Sequence, residues 1–295
     1  MLGVRSATLA GLAWLLVFAP AADARIKAFV SIAPQAYLAE RVGGSHVSVD
    51  VLVGPGQNHH TFEPTPRQMV YLAESSAYFA IGLPFERRLL QKIREANPNL
   101  ECVDTREGIA LRMMEAADED PGPDRNHDHE RGAVDPHVWL NPLNAKIIAA
   151  NICKGLKEAD PAHAADYGQN LAALQDELDA LHARIAGILA PFKGRAFYVY
   201  HPAFGYFADA YGLRQVAVEI EGKEPTPRQL AQLISRAKAD GVRVIFVQQQ
   251  FPKRAAEAVA QEIQGAVVSI DPLSRDYIKN LGTIAEELRA ALQTN

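Results

Sequence analysis

The sequence predicts an α/β protein with two lobes, each with a mostly parallel four-stranded sheet flanked by helices, joined by one long rigid connector helix. Three observations predict this fold: short apolar runs that alternate with amphipathic stretches, a six-residue segment that occurs twice, and one uninterrupted helical stripe between the halves. Short β-branched runs without polar alternation are typical of strands that helices cover on both faces, and their alternation with helical stretches is typical of parallel sheets.

Eight short apolar runs, four in each half of the chain, are the predicted strands. They are 28–32, 47–53, 77–81, 100–103, 196–200, 216–220, 242–247 and 266–270.

The segment Glu-Pro-Thr-Pro-Arg-Gln occurs at 63–68 and again, letter for letter, at 224–229. In each copy a threonine, Thr65 or Thr226, is suited to cap a helix that begins at the following proline, and the glutamine three residues later completes a capping box. A six-residue identity alone could arise by chance. Because a helical stretch and then a predicted strand follow both copies, we predict an internal duplication.

A single amphipathic helix is predicted to connect the two lobes. Its apolar positions recur at gaps of three and four, at Tyr167, Leu171, Leu174, Leu178, Leu181, Ile185 and Ile188. Such a stripe could also form the seam of a coiled-coil dimer. A lone helix of this kind among α/β lobes more often packs against its own chain, so we expect a rigid connector in a monomer.

The first 24 residues are predicted to be a signal peptide. One basic residue, Arg5, precedes an apolar run, and Ala22-Asp23-Ala24 fits a signal-peptidase site. The run is shorter than the roughly 20 residues that a spanning helix needs, although a retained anchor is the alternative. No cysteine follows the site to take a lipid. We therefore expect a secreted, periplasmic protein that starts at Arg25.

The remaining chain divides into three predicted parts: a first lobe at 25–159, the connector at 160–190 and a second lobe at 191–295. Within the first lobe, the low-complexity stretch 115–133 is rich in acidic residues and is predicted to be a mobile surface loop.

The composition excludes several classes of protein. A net charge of −5 argues against a nucleic-acid partner, which would require a basic surface. Two cysteines, Cys102 and Cys153, are too few for a disulfide framework. They could pair with each other or remain buried thiols.

Four residues of metal-ligating type stand where the predicted fold can bring them together. They are His60, His137, His201 and Asp271. All but His137 follow predicted strands, and parallel sheets bind ligands beyond the carboxyl ends of their strands. Side chains from both lobes can therefore point into one crevice.

Three neutral imidazoles and one carboxylate form a four-coordinate set that suits Zn²⁺, whereas manganese or calcium would favour more oxygen ligands. A closed set without an open position fits holding a metal better than catalysis. Taken alone, a histidine at a strand end is more often an ordinary polar contact than a ligand, and Asp271 before a proline could simply begin a turn. His59, beside His60, and Glu63, three residues further on, are alternative ligands.

Four segments, taken together, resemble a known family. They read His-Thr-Phe-Glu-Pro-Thr-Pro at 60–66, Asp-Pro-His-Val-Trp-Leu-Asn-Pro at 135–142, His-Pro-Ala-Phe-Gly-Tyr-Phe at 201–207 and Ile-Asp-Pro-Leu at 270–273. In this order they are similar to the zinc and manganese substrate-binding proteins of bacterial ABC importers, the ZnuA-like group, over essentially the whole chain after residue 24. The resemblance implies two lobes joined by one long helix, with a cleft site formed by His60, His137, His201 and Asp271.

The resemblance also implies a function. The chain would be the high-affinity zinc-binding component of an ABC importer, delivering Zn²⁺ to an integral-membrane permease and its ATPase without enzymatic turnover. Manganese binders of the family carry an acidic residue where this chain has His201, which favours zinc. Zinc members often have a histidine-rich loop where 115–133 holds only His127 and His129, so we expect a plain solvated loop there.

Three alternatives remain open. The same scaffold could bind manganese. A cleft for an organic chelate would be expected to offer aromatic or arginine side chains instead of converging histidines. A zinc hydrolase with three histidine ligands would need a free coordination position and a positioned base, and the sequence contains no His-Glu-x-x-His segment.

Overall fold

Two parallel four-stranded sheets form the framework of the computed structural model, which describes residues 25–114, 134–219 and 224–293. The first sheet, in the order β2-β1-β3-β4, contains β1 (Ile26–Val30), β2 (Val47–Val51), β3 (Ala77–Ala80) and β4 (Glu101–Asp104). The second, in the order β6-β5-β7-β8, contains β5 (Ala196–Val199), β6 (Arg214–Ala217), β7 (Val244–Gln248) and β8 (Ala266–Ile270). The predicted fold class is confirmed, and each strand overlaps the run that predicted it.

Helices flank both sheets and repeat in the same order. The first lobe contains α1 (Ala33–Gly43), α2 (Pro66–Ala73), α3 (Glu86–Ala96) and α4 (Pro142–Ala159), and α5 (Ala164–Leu189) follows. The second lobe contains α6 (Gly205–Tyr211), α7 (Pro227–Ala239), α8 (Arg254–Glu262) and α9 (Tyr277–Gln293). In chain order α1, α2 and α3 therefore correspond to α6, α7 and α8. Within the described ranges, no helix is both long and apolar enough to span a bilayer.

The duplicated segment begins α2 and α7 in the same way. The Oγ1 atom of Thr65 accepts a hydrogen bond from the Gln68 backbone N–H at 3.3 Å, and the Gln68 side chain accepts one from the Thr65 N–H at 2.9 Å. The same two bonds join Thr226 and Gln229, at 3.4 and 2.9 Å. Both capping boxes satisfy backbone donors that the first helical turn leaves unpaired.

Helix α5 is 26 residues long and hence about 39 Å in length. Its predicted stripe is buried, with Tyr167, Leu174, Leu178, Leu181 and Ile185 inside and Leu171 and Ile188 partly covered. The helices that cover it are α1, α4 and α9 of the same chain. The apolar face that a coiled-coil partner would need is therefore used within this molecule.

One hydrophobic core extends through both lobes. It includes Phe79 of β3, Leu178 of α5 and Phe207 of α6, whereas a second, smaller core lies within the second lobe around β7 and α8. Hydrogen bonds also cross between the lobes: the Trp139 indole N–H donates to the Pro272 carbonyl at 2.8 Å, and the Tyr277 hydroxyl donates to the Trp139 carbonyl. The lobes therefore contact each other directly, in addition to the link through α5.

Two sequence predictions concern residues outside the described ranges, namely the signal peptide at 1–24 and the loop at 115–133 with His127 and His129. The lobe boundaries stay predictions. Cys102 and Cys153 are both free thiols, half-buried and buried respectively.

Candidate metal centre

The turn after β2 places two adjacent histidines at the carboxyl end of the first sheet. The Gln57 side chain accepts a hydrogen bond from the Gly54 N–H at 2.7 Å, and the Asn58 side chain accepts one from the His60 N–H at 2.9 Å. These short-range bonds hold the backbone of a segment that has no regular secondary structure. As a result His59 is buried, with 1% of its surface exposed, and His60 is partly buried.

A buried carboxylate positions His137, which lies just before α4. The Asp135 carboxylate accepts hydrogen bonds from the His137 backbone N–H at 3.0 Å and from its Nδ1 at 2.7 Å. Arg112 forms an ion pair with Asp135 at 3.1 Å. A Cβ at position 205 would lie 1.2 Å from the Arg112 Nη1 atom, so Gly205 is needed for this approach.

His201 follows β5 and is held from three sides. The Gln248 side chain accepts from its backbone N–H at 3.1 Å and donates to its carbonyl at 2.6 Å. The Glu219 carboxylate accepts from its Nδ1 at 2.5 Å. The ring of Phe251 stacks on the imidazole with centroids 4.5 Å apart. The side chain has little freedom to turn away from the cleft.

The imidazoles of His59, His60, His137 and His201 meet between the lobes. Their Nε2 atoms lie 3.1 Å apart for His59 and His137, 2.9 Å for His60 and His201, and 3.3 Å for His137 and His201. One ligand atom from each of the four lies within 4.8 Å of all the others. Nitrogen ligands about 2.0–2.1 Å from a tetrahedral zinc would be about 3.4 Å apart, so the observed spacings fit one zinc ion.

Two of the four imidazoles have a defined tautomer. Because Asp135 and Glu219 accept hydrogen bonds from the Nδ1 atoms of His137 and His201, the lone pairs of those rings are on Nε2, facing the centre. The Nδ1 atom of His59 is different: it is buried and has no hydrogen-bond partner in the described part of the chain.

Burial keeps three of the imidazoles neutral. Desolvation and, second, the neighbouring imidazoles hold the pKa of His59 and His137 well below the usual 6.5 and lower the pKa of His60 to about 2. Burial likewise raises the pKa of Asp135 to about 6, although the His137 N–H and Arg112 act in the opposite direction. A metal entering at neutral pH would therefore meet unprotonated nitrogens at His59, His60 and His137.

Asp271, the fourth ligand predicted from the sequence, is not part of this cluster. Its carboxylate accepts hydrogen bonds from the Gln250 side chain and from the Leu273 backbone N–H, both at 3.0 Å. The structure thus brings together the three predicted histidines and adds His59, which the sequence left as an alternative. Glu63 is exposed and is also outside the cluster.

Sequence reasoning did not identify the residues that orient the ligands, which are Asp135, Glu219 and Gln248. Asp135 had a local signal, since it lies two residues before His137 in a segment that was already of interest. Glu219 had only a weak signal, as the one carboxylate within the predicted strand 216–220. Gln248 ends β7, and its role depends on the pairing of β7 with β5, which local sequence does not reveal.

Comparisons with known proteins identify the family. The family model described as zinc-uptake complex component A, periplasmic (ZnuA) matches residues 29–291. A crystal structure of ZnuA superposes with a TM-score of 0.83 at 38% identity, covering 91% of this chain and all of that one.

Two curated relatives differ in the metal they are named for. The high-affinity zinc uptake system protein ZnuA of Brucella abortus is 35% identical over 148 residues, 49% of this chain and 44% of the relative. The iron-binding protein YfeA of Yersinia pestis is 28% identical over 245 residues, 80% and 75% of the two chains. The family is one of solute-binding components and not of enzymes, and the resemblance found in the sequence is confirmed. This chain belongs to the ZnuA family of periplasmic, metal-binding components of zinc-uptake complexes.

Proposed function

We propose that this protein captures Zn²⁺ with His59, His60, His137 and His201 and delivers it to the integral-membrane permease and ATPase of an ABC importer. The observation that carries the proposal is the convergence of four imidazoles at spacings that match one tetrahedral zinc. Delivery takes place in the periplasm, after removal of the predicted signal peptide.

The chemistry of the four side chains favours zinc over manganese. All four ligand atoms are imidazole nitrogens, and manganese sites in proteins use more carboxylate and water oxygen. Copper(II) would bind these nitrogens at least as tightly, so its exclusion depends on supply and not on affinity. Iron, for which one relative is named, is tested by the same competition experiment.

A closed site supports binding rather than catalysis. Four protein ligands leave no coordination position for a substrate or an activated water, which a zinc hydrolase requires. The Nε2 atoms are also too close together to admit the additional donor atoms of an organic chelate. We therefore propose a carrier of the bare ion without enzymatic turnover.

The test is metal content and competition on protein stripped with a chelator and reloaded. Wild type should retain one zinc per chain, displaced poorly by manganese or ferrous iron. His60→Ala and His201→Ala should each weaken zinc binding by more than the about 10–100-fold that loss of an outer hydrogen-bond partner causes. Asp271→Ala is the matched control and should retain nearly wild-type affinity.

Two outcomes would contradict the proposal. Zinc held equally by wild type and the two histidine variants would show that the metal binds elsewhere. If Asp271→Ala weakened zinc binding more than His59→Ala, Asp271 would replace His59 as the fourth ligand, as the family resemblance alone implies.

A further inference from the structure

Helix α3 differs in charge from its counterpart in the second lobe. Its exposed charged side chains are Arg87, Arg88, Lys92 and Arg94 against the single acidic Glu95. The corresponding helix α8 contains one basic and two acidic residues, Arg254, Glu257 and Glu262. Because both helices have the same place in the fold, the basic surface of α3 is not a requirement of the architecture. It is also unusual in a chain whose net charge is −5.

Two of these basic residues border a groove beside the edge strand of the first sheet. A cleft of about 460 Å³ lies between α3 and β4 and is lined by, among others, Arg87, Leu90, Arg94, Cys102 and Asp104. We call it the α3–β4 groove. Arg87, Leu90 and Arg94 follow one another at gaps of three and four, so they lie on one face of the helix.

The guanidinium groups of Arg87 and Arg94 have no ion-pair partner in the described ranges of the chain. Arg106, at the end of the groove, is different because it pairs with Asp104 at 2.7 Å. Glu86 also lines the groove, but its carboxylate is buried and accepts hydrogen bonds from the backbone N–H groups of Ile81, Gly82 and Leu83. The groove therefore presents two unpaired arginines next to the apolar side chain of Leu90. Unpaired arginines beside an apolar surface are suited to carboxylates on a chain that also offers an apolar side chain.

The groove opens at the same end of the first sheet as the metal centre. Its residues Ala80 and Asp104 are the last residues of β3 and β4, and His59 and His60 follow the carboxyl end of the neighbouring strand β2. A protein that receives the metal must approach this end of the lobe. Strand β4, which lines the groove, is also the outermost strand of the described sheet and has a neighbouring strand on one side only, so an extended segment could align beside it.

We propose that the α3–β4 groove is a docking site for an acidic, extended segment of the membrane permease that receives the metal. This inference rests on the proposed function, because it assigns to the groove the partner that the function requires. Arg87 and Arg94 would pair with carboxylates, and Leu90 would contact an apolar side chain between them. The proposal concerns a protein segment and not a membrane surface, because the arginines border a concave groove that a flat lipid surface would not fill.

The test uses the zinc-loaded mature chain and a fluorescent hexapeptide of sequence Glu-Leu-Glu-Glu-Leu-Glu, with binding followed by anisotropy at low salt. Arg87→Glu/Arg94→Glu should weaken peptide binding about tenfold or more, since both charges in the groove are reversed. Arg88→Glu/Lys92→Glu is the matched control: it makes the same change in net charge on the same helix at residues that do not line the groove. This variant should bind the peptide within about twofold of wild type.

Three outcomes would overturn the docking site. Equal loss in both double variants would show a general charge effect, and absence of peptide binding to wild type would remove the groove as a peptide site. Binding to vesicles rich in phosphatidylglycerol without binding to the peptide would identify a lipid surface instead. Zinc content separates this proposal from the function: a wild-type chain that binds the peptide but retains no zinc contradicts only the proposed function.

Discussion

Two carboxylates outside the histidine cluster determine which ring nitrogen of His137 and of His201 faces the centre of the cluster. Asp135 and Glu219 each accept a hydrogen bond from an Nδ1 atom, at 2.7 and 2.5 Å, and thereby direct the Nε2 lone pairs of His137 and His201 inward. Each carboxylate also supplies negative charge close to an incoming divalent cation. A zinc ion held by four neutral imidazoles would bring a net charge of +2 into a buried site, and these two carboxylates offset it.

The depressed pKa values of the histidines predict how the metal-free protein responds to acid. In the unfolded chain an imidazole titrates near 6.5, whereas burial keeps His59, His60 and His137 neutral well below that pH. Their contribution to stability is complete above pH 6.5 and is lost as the pH falls, by up to about 1.4 kcal/mol per histidine for each pH unit. Burial raises the pKa of Asp135 to about 6, so this group adds to stability as the pH falls below 6. It offsets only part of the stability that the three histidines lose.

Urea unfolding of the stripped protein at pH 7.5, 6.5 and 5.5 measures this effect. The free energy of unfolding should fall between the last two values, and His60→Gln should reduce the fall because one titrating ring is removed. A constant stability over this range would contradict the burial of neutral imidazoles. Zinc binding weakens when ligand imidazoles protonate, and with the pKa of His60 lowered to about 2 that weakening should begin well below pH 6.5.

Local sequence predicted some members of the histidine cluster and not others for a physical reason. His60, His137 and His201 stand at turns or strand ends that the sequence marks clearly. The choice between His59 and Asp271 as fourth ligand depends on where a loop side chain turns. Asp271 is engaged by Gln250 and by the Leu273 N–H, contacts that form only after β7 and β8 pair.

At the scale of the elements, α4 packs unusually close to the first sheet. A Cβ at position 155 would lie 2.7 Å from the Val103 Cγ2 atom and 2.9 Å from the Phe79 Cε1 atom. Gly155 therefore determines how closely the helix approaches β3 and β4. On α5, by contrast, a Cβ at the exposed Gly187 would meet nothing within 4 Å.

These two glycines predict opposite effects of the same substitution. Gly155→Ala should destabilise the protein by about 1–3 kcal/mol, because the added methyl group overpacks a buried contact. Gly187→Ala should stabilise it by about 0.5–1 kcal/mol, because alanine loses less backbone entropy in a helix. Urea unfolding of both variants at pH 7.5 measures the difference. Similar effects of the two changes would mean that α4 can move away from the sheet at little cost.

The elements themselves were the most predictable part of the molecule. The strands and the stripe on α5 follow from periodicity, and the starts of α2 and α7 follow from capping chemistry, all of which are local. Strand ends differ by up to three residues: the predicted strand at 216–220 is observed as β6 at Arg214–Ala217. Charged and polar residues such as Arg214 lie within that strand because tertiary pairing with β5 outweighs their local preference.

At the scale of the whole molecule, contacts between the lobes limit the motion that metal capture can involve. The Tyr206 hydroxyl of the second lobe donates to the Asp135 carbonyl and accepts from the Arg112 N–H, at 3.1 and 3.0 Å. Trp139 and Pro272 add another direct bond across the boundary. Together with α5, these contacts oppose hinge closure, so we expect capture and release to involve local loop movement.

Small-angle scattering with and without zinc tests this expectation. The radius of gyration of the stripped and loaded protein should agree within experimental error, since no large rotation of the lobes accompanies binding. A clear compaction on addition of zinc would contradict it and would indicate that the interlobe bonds form only in the loaded state. A zinc-binding-deficient His201→Ala protein, measured in parallel, controls for non-specific effects of the metal.

The core that passes through both lobes also limits how such a protein can evolve by recombination. Two halves with the same order of strands and helices have the form of interchangeable modules, yet Phe79 and Phe207, from different halves, belong to one packed interior. A recombination event that joined the first half of one homologue to the second half of another would mismatch that interior unless both parents shared its shape. The four clustered histidines also come from both halves, so a recombinant would have to keep them aligned across the cleft. Selection therefore acts on the two halves together.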